Sequence, residues 1–236
     1  MHTFHLPAFR KNHYLVLTSY KVMYAFLNNQ DSVERLFWNK RTISIAVCNQ
    51  LLGRPVGISL FRNPEARFLS YFRDKFRKTP IRILQGHPSY ASNIQHCQSL
   101  WLQYIDKDSK NVSDCCRALL ETSIEDVVDW LPNSYRQDCH TISQMQCHYA
   151  QWRQLRLRLS LEKIFFVDNP AELNSFGHLL KLDISHRVNG SQDISEEISL
   201  SKRSRKVLRE IYRQDFDFYE KASSVPPSDR DIMLRS

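Results

Sequence analysis

At Phe61 an apolar run, Val56–Phe61, stops and a helical pattern starts almost at once across Arg62, Asn63 and Pro64. Asn63 suits the N-cap and Pro64 the first turn, so the run reads as a strand that turns directly into a helix. On that helix Phe68, Phe72 and Phe76 recur every four residues and Leu69 widens the stripe, which makes one face apolar. Arg67, Arg73, Asp74 and Lys75 are expected to point away from that face. Arg62 and Ser70 are left over. An arginine at the carboxyl end of a strand, beside a helix N-terminus, sits where open α/β sheets bind anions. Two readings fit these residues: Arg62 and Ser70 grip a phosphate-like group, or Arg62 pairs with Glu65 or a loop carbonyl and Ser70 is a surface hydroxyl.

Similar short apolar runs at His13–Leu17, Val22–Leu27, Thr42–Cys48 and Lys163–Val167 read as further strands, with amphipathic stretches between several of them. That alternation predicts an α/β fold, a mainly parallel sheet flanked by helices, in which the first two runs can form a hairpin. Capping chemistry marks two helices. Asn169-Pro170-Ala171-Glu172 starts one whose Leu173, Phe176, Leu179 and Leu180 share a face, and Ser123-Ile124-Glu125-Asp126 starts another that should stop at Pro132. A polar loop over Asp183–Glu197 precedes a long helix expected at Ser201–Tyr219. At 236 residues and 42% hydrophobic, the chain suits one domain over residues 1–222 with a loosely ordered tail from 223 to 236. It has neither a signal-peptide core nor a run near the ~20 apolar residues of a membrane span, so a soluble protein or soluble fragment is expected.

The formal charge of +8 favours an anionic partner such as a nucleotide, an acidic glycan, nucleic acid or a lipid surface, and is equally met by a solvated basic surface. Arg153, Arg156, Arg158 and the run Lys202-Arg203-Ser204-Arg205-Lys206 read as solvated helix faces, since no nucleic-acid motif accompanies them. With five glycines the chain holds no GxGxxG, GxxxxGK[ST] or GxSxG. Its six cysteines include no CxxC pair, and Cys139-His140 with Cys147-His148 match no common zinc spacing, so reduced thiols and no metal are expected.

The segment Phe61–Phe76, FRNPEARFLSYFRDKF, resembles the 3′-phosphate-binding motif of the sulfotransferases, particularly the carbohydrate-type branch. Further pieces follow in that family's order: Asp138–Gln144 resembles its His-x-x-x-Gln element, Ile164–Asn169 the strand after it, His186–Ser191 its Asn-x-Ser loop and Leu208–Phe216 its closing Tyr-x-x-Asp-Phe helix. The likeness covers residues from about Val56 to Tyr219. It implies a P-loop-NTPase-like sulfotransferase fold, 3′-phosphoadenylyl sulfate as cosubstrate, and Arg62 and Ser70 as the grip on the donor's 3′-phosphate.

The family's N-terminal Pro-Lys-x-Gly-x-Thr-Ser loop, which cradles the 5′-phosphosulfate, has no intact counterpart. Leu27–Glu34 is the nearest candidate, offering Asn28, Asn29 and Ser32 but neither lysine nor glycine. Sulfuryl transfer depends on positive charge at the leaving oxygen, so Lys21, Arg35 or Lys40 must substitute or catalysis is impaired. His140 is the candidate general base, with Asp31 and Glu34 as alternatives. The expected function is transfer of a sulfuryl group to a hydroxyl of a carbohydrate-like acceptor; the alternative is a catalytically impaired nucleotide- or glycan-binding relative. Acceptor choice is expected from the loops Gln85–Asn93 and Asp106–Asp114. The resemblance further implies a cytoplasmic protein, or a Golgi-type luminal one if the chain is part of a longer, membrane-anchored protein.

Overall fold

The computed structural model describes residues 8–36, 56–87, 94, 100, 111–136, 138, 140–148, 160–185 and 198–232. The chain divides into two compact units. The first holds Met1–Arg67, Tyr135–Val188 and Tyr212–Ser236; the second holds Phe68–Ser134 and Asn189–Ile211.

The first unit is built on a five-stranded sheet of order β3-β1-β2-β4-β5, with β1 at Ala8–Lys11, β2 at Tyr14–Leu17, β3 at Glu34–Leu36, β4 at Val56–Phe61 and β5 at Ser160–Phe166. β2, β4 and β5 run parallel, while β1 is antiparallel to both β2 and β3. The sheet is therefore mixed, a correction to the mainly parallel sheet expected. The cause is a two-residue link: Asn12 takes a positive φ of 54°, which suits a tight hairpin turn, and Ala8–Lys11 folds back on Tyr14–Leu17.

The second expected strand is also corrected, because Val22–Leu27 leads into a helix, α1 at Tyr24–Asn28. A short apolar run does not reveal its period; here Phe26 and Leu27 of the helix and Val22 of the turn before it are all buried. They join Val16, Ile58, Leu60 and Phe165 of the sheet and Leu173, Phe176 and Leu180 of a helix at Pro170–Leu180 in one core cluster. Because strand residues alternate, Phe61, Ile164 and Phe166 meet Phe218 and Ala222 of a helix at Arg213–Ser223 in a second cluster. The Pro170–Leu180 helix starts as expected, with Asn169 Oδ1 accepting from the amides of Ala171 and Glu172. Thr42–Cys48 lies outside the described residues.

Among the described residues the second unit is helical. The helix that opens at Pro64, α2, runs to Phe72 and passes through a π-helical stretch, Arg73–Lys78, into α3 at Thr79–Leu84. Phe68, Phe72 and Phe76 are buried as the spacing predicts, and the Phe72 and Phe76 rings stack with centroids 5.4 Å apart. Lys75 does not point to solvent; it is 6% exposed with its Nζ 3.4 Å from Asp74. Next come α4 at Val112–Glu121, capped by Asn111, and α5 at Ile124–Ser134. Ser123 and Asp126 cap α5 reciprocally, and the helix continues through Pro132 instead of stopping there. A proline so near the C-terminus removes only one late hydrogen bond, so the last turn survives. The long helix expected at Ser201–Tyr219 breaks at Tyr212 into Lys202–Ile211 and Arg213–Ser223. In chain order the helices at Pro170–Leu180, Lys202–Ile211 and Arg213–Ser223 are α6, α7 and α8. No helix among the described residues is long and apolar enough to cross a membrane.

Past Ser223, where the sequence suggested a loose tail, a 3₁₀ turn at Pro227–Ile232 is tied to the first unit's core. Arg230, 2% exposed, makes paired bonds of 2.7 and 3.1 Å to Glu172, which also accepts from the Phe166 amide. Arg230→Met would leave the Glu172 carboxylate buried without its partner, and urea denaturation should register a loss of about 3–5 kcal/mol. Adding Glu172→Gln should recover most of that loss. A shift below about 1 kcal/mol in the single variant would contradict this role for the pair.

Candidate functional site

The carboxyl ends of β2, β4 and β5 lie side by side, and the loop leaving each one reaches Arg62. Its backbone is finished by a side chain: Gln144, 1% exposed, accepts from the Arg62 amide at 2.9 Å and donates to the Arg62 carbonyl at 2.7 Å. Its guanidinium donates from Nε to Asp168 at 3.2 Å, in the loop after β5, and from Nη1 to the Lys21 carbonyl at 3.3 Å, in the loop after β2. Asp168 also accepts from the Asn63 amide, and Asn63 Oδ1 caps α2 by accepting from Ala66. Arg62 thus pairs with Asp168 and a loop carbonyl, not with Glu65. Its Nη2 has no partner among the described residues.

The strand-to-helix loop at this end is 18–23, not Leu27–Glu34, since β2 stops at Leu17 and α1 starts at Tyr24. Without glycine, the loop turns by placing Lys21 (φ 69°) and Met23 (φ 58°) in the left-handed region, where such side chains are uncommon. The Val22 amide donates to the Ser19 carbonyl and the Thr18 hydroxyl to the Val22 carbonyl, closing the turn. Lys21, one of the cations that could substitute for the missing lysine, is inside this loop. Asn28 ends α1, and Asn29 and Ser32 follow it instead of preceding it: Asn28 accepts from Arg35, Asn29 is the C-cap, and Ser32 bonds to Lys11. Asp31 lies in the same turn, and Glu34 is on β3 with Arg10 at 3.7 Å. Lys40 is outside the described residues.

His140 approaches the same loop. Its Nδ1 is 2.7 Å from Asp138, whose side chain is 7% exposed, and its ring centroid is 4.8 Å from that of Tyr20. A carboxylate on Nδ1 fixes the tautomer and makes Nε2 the basic atom, as a general base requires. Arg67, expected to point away from the apolar face of the helix, is 3% exposed and bridges the two segments, donating from Nε to the Tyr20 carbonyl and from Nη2 to the His140 carbonyl, both at 3.1 Å. One signal was available in the sequence: Arg67 stands four residues after the Asn63 cap, on the same side of the helix.

The His140–Gln144 turn is held from behind by Tyr212 and Asp215. Tyr212 donates to the Thr141 carbonyl at 2.6 Å; Asp215 accepts from the Ser143 hydroxyl and from the Gln144 and Met145 amides at 2.6–2.9 Å, capping the helical segment 144–148. Burial pushes the Asp215 carboxyl up, against the Arg67 charge and these hydrogen bonds, which pull it down. Two pieces read separately in the sequence, His-x-x-x-Gln and Tyr-x-x-Asp-Phe, are thus one hydrogen-bonded assembly. Ser70 is half-buried on α2 and falls in the second unit. His186–Ser191 lies outside the described residues. A hollow of ≈ 700 Å³ lined by Lys163, Ser175, His178 and Pro227, among others, includes none of the expected site residues.

Below Gln144, the His148 ring packs on Phe61 with centroids 4.2 Å apart, and its Nε2 is 3.2 Å from the Leu60 carbonyl. Burial first, and the Arg67 charge as well, lower its pKa to about 3, so it is neutral in the folded protein. Because the unfolded chain takes up this proton near pH 6.5, stability falls as the pH drops from about 6.5 towards 3, by about 1.4 kcal/mol per unit. His148→Gln can keep a donor to Leu60 and does not titrate. Denaturation curves between pH 6.5 and 4 should show the wild type losing stability faster than this variant by about that slope, and parallel profiles would contradict a buried neutral His148.

No family model matches the chain, and no curated protein or solved structure matches it, so the site is read from its own residues and geometry.

Proposed function

We propose that the chain is a sulfotransferase-like protein of the P-loop type that binds 3′-phosphoadenylyl sulfate and transfers its sulfuryl group to a hydroxyl, with a carbohydrate as acceptor. The observation that carries this reading is Arg62: a part-exposed guanidinium at the carboxyl end of the central parallel strand, bonded to the loops after both neighbouring strands. That is where α/β sheets receive anionic ligands. Ser70 enters the reading from the resemblance alone, as the second group on the donor's 3′-phosphate. With loop 18–23 following β2, the donor's 5′-phosphosulfate would meet Lys21 there, and Asn28, Asn29 and Ser32 have no part in it.

In the proposed reaction the acceptor oxygen attacks sulfur, its proton passes to Nε2 of His140, and the bond from sulfur to the 5′-phosphate oxygen breaks with both electrons going to that oxygen. The products are a sulfate ester and 3′-phosphoadenosine 5′-phosphate. Asp138 orients His140 and stabilises the imidazolium that forms. Lys21 supplies the positive charge at the leaving oxygen. The alternative, a binding protein without turnover, is favoured by one feature: loop 18–23 has no glycine to bring its amides close to a phosphosulfate.

Thermal unfolding with 3′-phosphoadenosine 5′-phosphate tests the donor site. At about 100 times its dissociation constant the nucleotide should raise the midpoint by about 5–11 °C in the wild type and by far less in Arg62→Ala. No shift in the wild type would remove the nucleotide from this account. With labelled donor and a glycan panel, Lys21→Ala should lower transfer by about two to three orders of magnitude; nucleotide binding without any transfer would favour the binding protein.

A further inference from the structure

Arg67 is costly to the fold as it stands. A guanidinium is always charged, and sinking a charge into protein costs several kcal/mol unless a counter-charge and hydrogen bonds repay it. Arg67 is 3% exposed, yet among the described residues no carboxylate lies within ion-pair distance and only two of its five N–H donors are used. Both go to backbone carbonyls, Tyr20 in the loop after β2 and His140 in the turn that carries Asp138. Nη1 has no partner among the described residues. The contrast with Arg230 is direct: equally buried, that arginine meets Glu172 through two paired bonds.

A second unpartnered group stands next to Tyr20 in the chain. Ser19, the neighbour of Tyr20, is fully buried and its hydroxyl has no partner among the described residues. The nearby acid does not resolve the imbalance. Asp215 feels the Arg67 charge but is fully engaged as the cap of segment 144–148. A buried cation, held in orientation by two carbonyls with donors to spare, and a buried, unpaired hydroxyl one residue from the Tyr20 carbonyl it bonds, have the composition of a site lacking its anion.

We infer that Arg67 anchors a recessed binding site for a tetrahedral oxyanion, between the loop after β2 and the His140 turn, and that Ser19 contributes a hydroxyl to it. The ion's chemical class, a sulfate or sulfuryl group, rests on the function proposed above; the site itself rests on the buried charge. Planar, multidentate donation suits a tetrahedral oxyanion, and an anion held there is desolvated, which strengthens each contact. Arg62 and Arg67 then have separate tasks, one on the nucleotide's phosphate and one on the group that is transferred.

The test is a titration of the full chain with sodium sulfate at constant ionic strength made up with sodium chloride, read as a thermal shift, on the wild type, Arg67→Met and Arg62→Ala. The expected result is a saturable rise in the wild type, weakened more than tenfold by Arg67→Met and kept by Arg62→Ala. Removing an uncompensated buried charge should leave the ion-free midpoint of Arg67→Met unchanged or higher. A wild type that responds to sulfate no more than to chloride overturns the inference, as does Arg67→Met retaining the wild-type response. Should Arg67→Met fail to fold, the Arg67 Nε–H NMR signal of the wild type must shift saturably with sulfate, and a signal that stays put overturns it equally. A parallel titration with 3′-phosphoadenosine 5′-phosphate separates the two claims: nucleotide binding without sulfate binding leaves the donor reading standing and removes Arg67, and sulfate binding without nucleotide binding does the reverse.

Discussion

The side-chain amide of Gln144 takes up both backbone groups of Arg62, as a neighbouring strand would, at the point where β4 gives way to α2. A strand end that stops inside a protein leaves an amide and a carbonyl to be satisfied, and each such group left bare costs about 1–3 kcal/mol. By meeting them with one buried glutamine, the fold can hold Arg62 at the sheet's end without a further strand. Gln144 is fixed in turn by Asp215, and the turn before it by Tyr212. The geometry at the end of the parallel strands therefore depends on Asp215 and Tyr212, 71 positions further along the chain than the groups they bond.

Charge is distributed unevenly over this assembly. Arg62 is matched by Asp168 and stays part-exposed, with side-chain exposures of 27% and 25%, so that pair is screened and readily exchanged for a ligand. Arg67 is sealed and has no counter-charge within ion-pair distance among the described residues, while the buried His148 is kept neutral, partly by the same charge. Two cations thus flank the loop after β2 in different dielectric settings. The outer one suits recognition of a ligand from solvent; the inner one suits stabilising charge that water does not reach.

Local signals in the sequence carried as far as local physics reaches. β4 has the bounds that its apolar run predicts, and Asn169 caps α6, because each depends on a few adjacent residues. Val22–Leu27 reads as a strand because six apolar residues fit either period, and only packing against Phe9, Val16 and Leu60 selects the helix. That single error moved the expected cradle loop to the wrong end of α1 and left Lys21 outside it. The sheet's antiparallel half depends on a left-handed Asn12 with no glycine beside it to announce the turn. Arg67 and Lys75 lie off the apolar stripe, and no local pattern reveals that tertiary contacts bury them.

The central claim is that Arg62 reads a phosphate on a nucleotide's 3′ position at the end of β4. Isothermal titration of the wild type with 3′-phosphoadenosine 5′-phosphate and with adenosine 5′-phosphate, which differ by that one group, addresses it most directly. The account predicts binding of the first and a loss of about 100-fold or more for the second, in line with the roughly 2–5 kcal/mol of losing the partner of a hydrogen-bonded charge. Equal affinities, or no heat with either nucleotide, would contradict it.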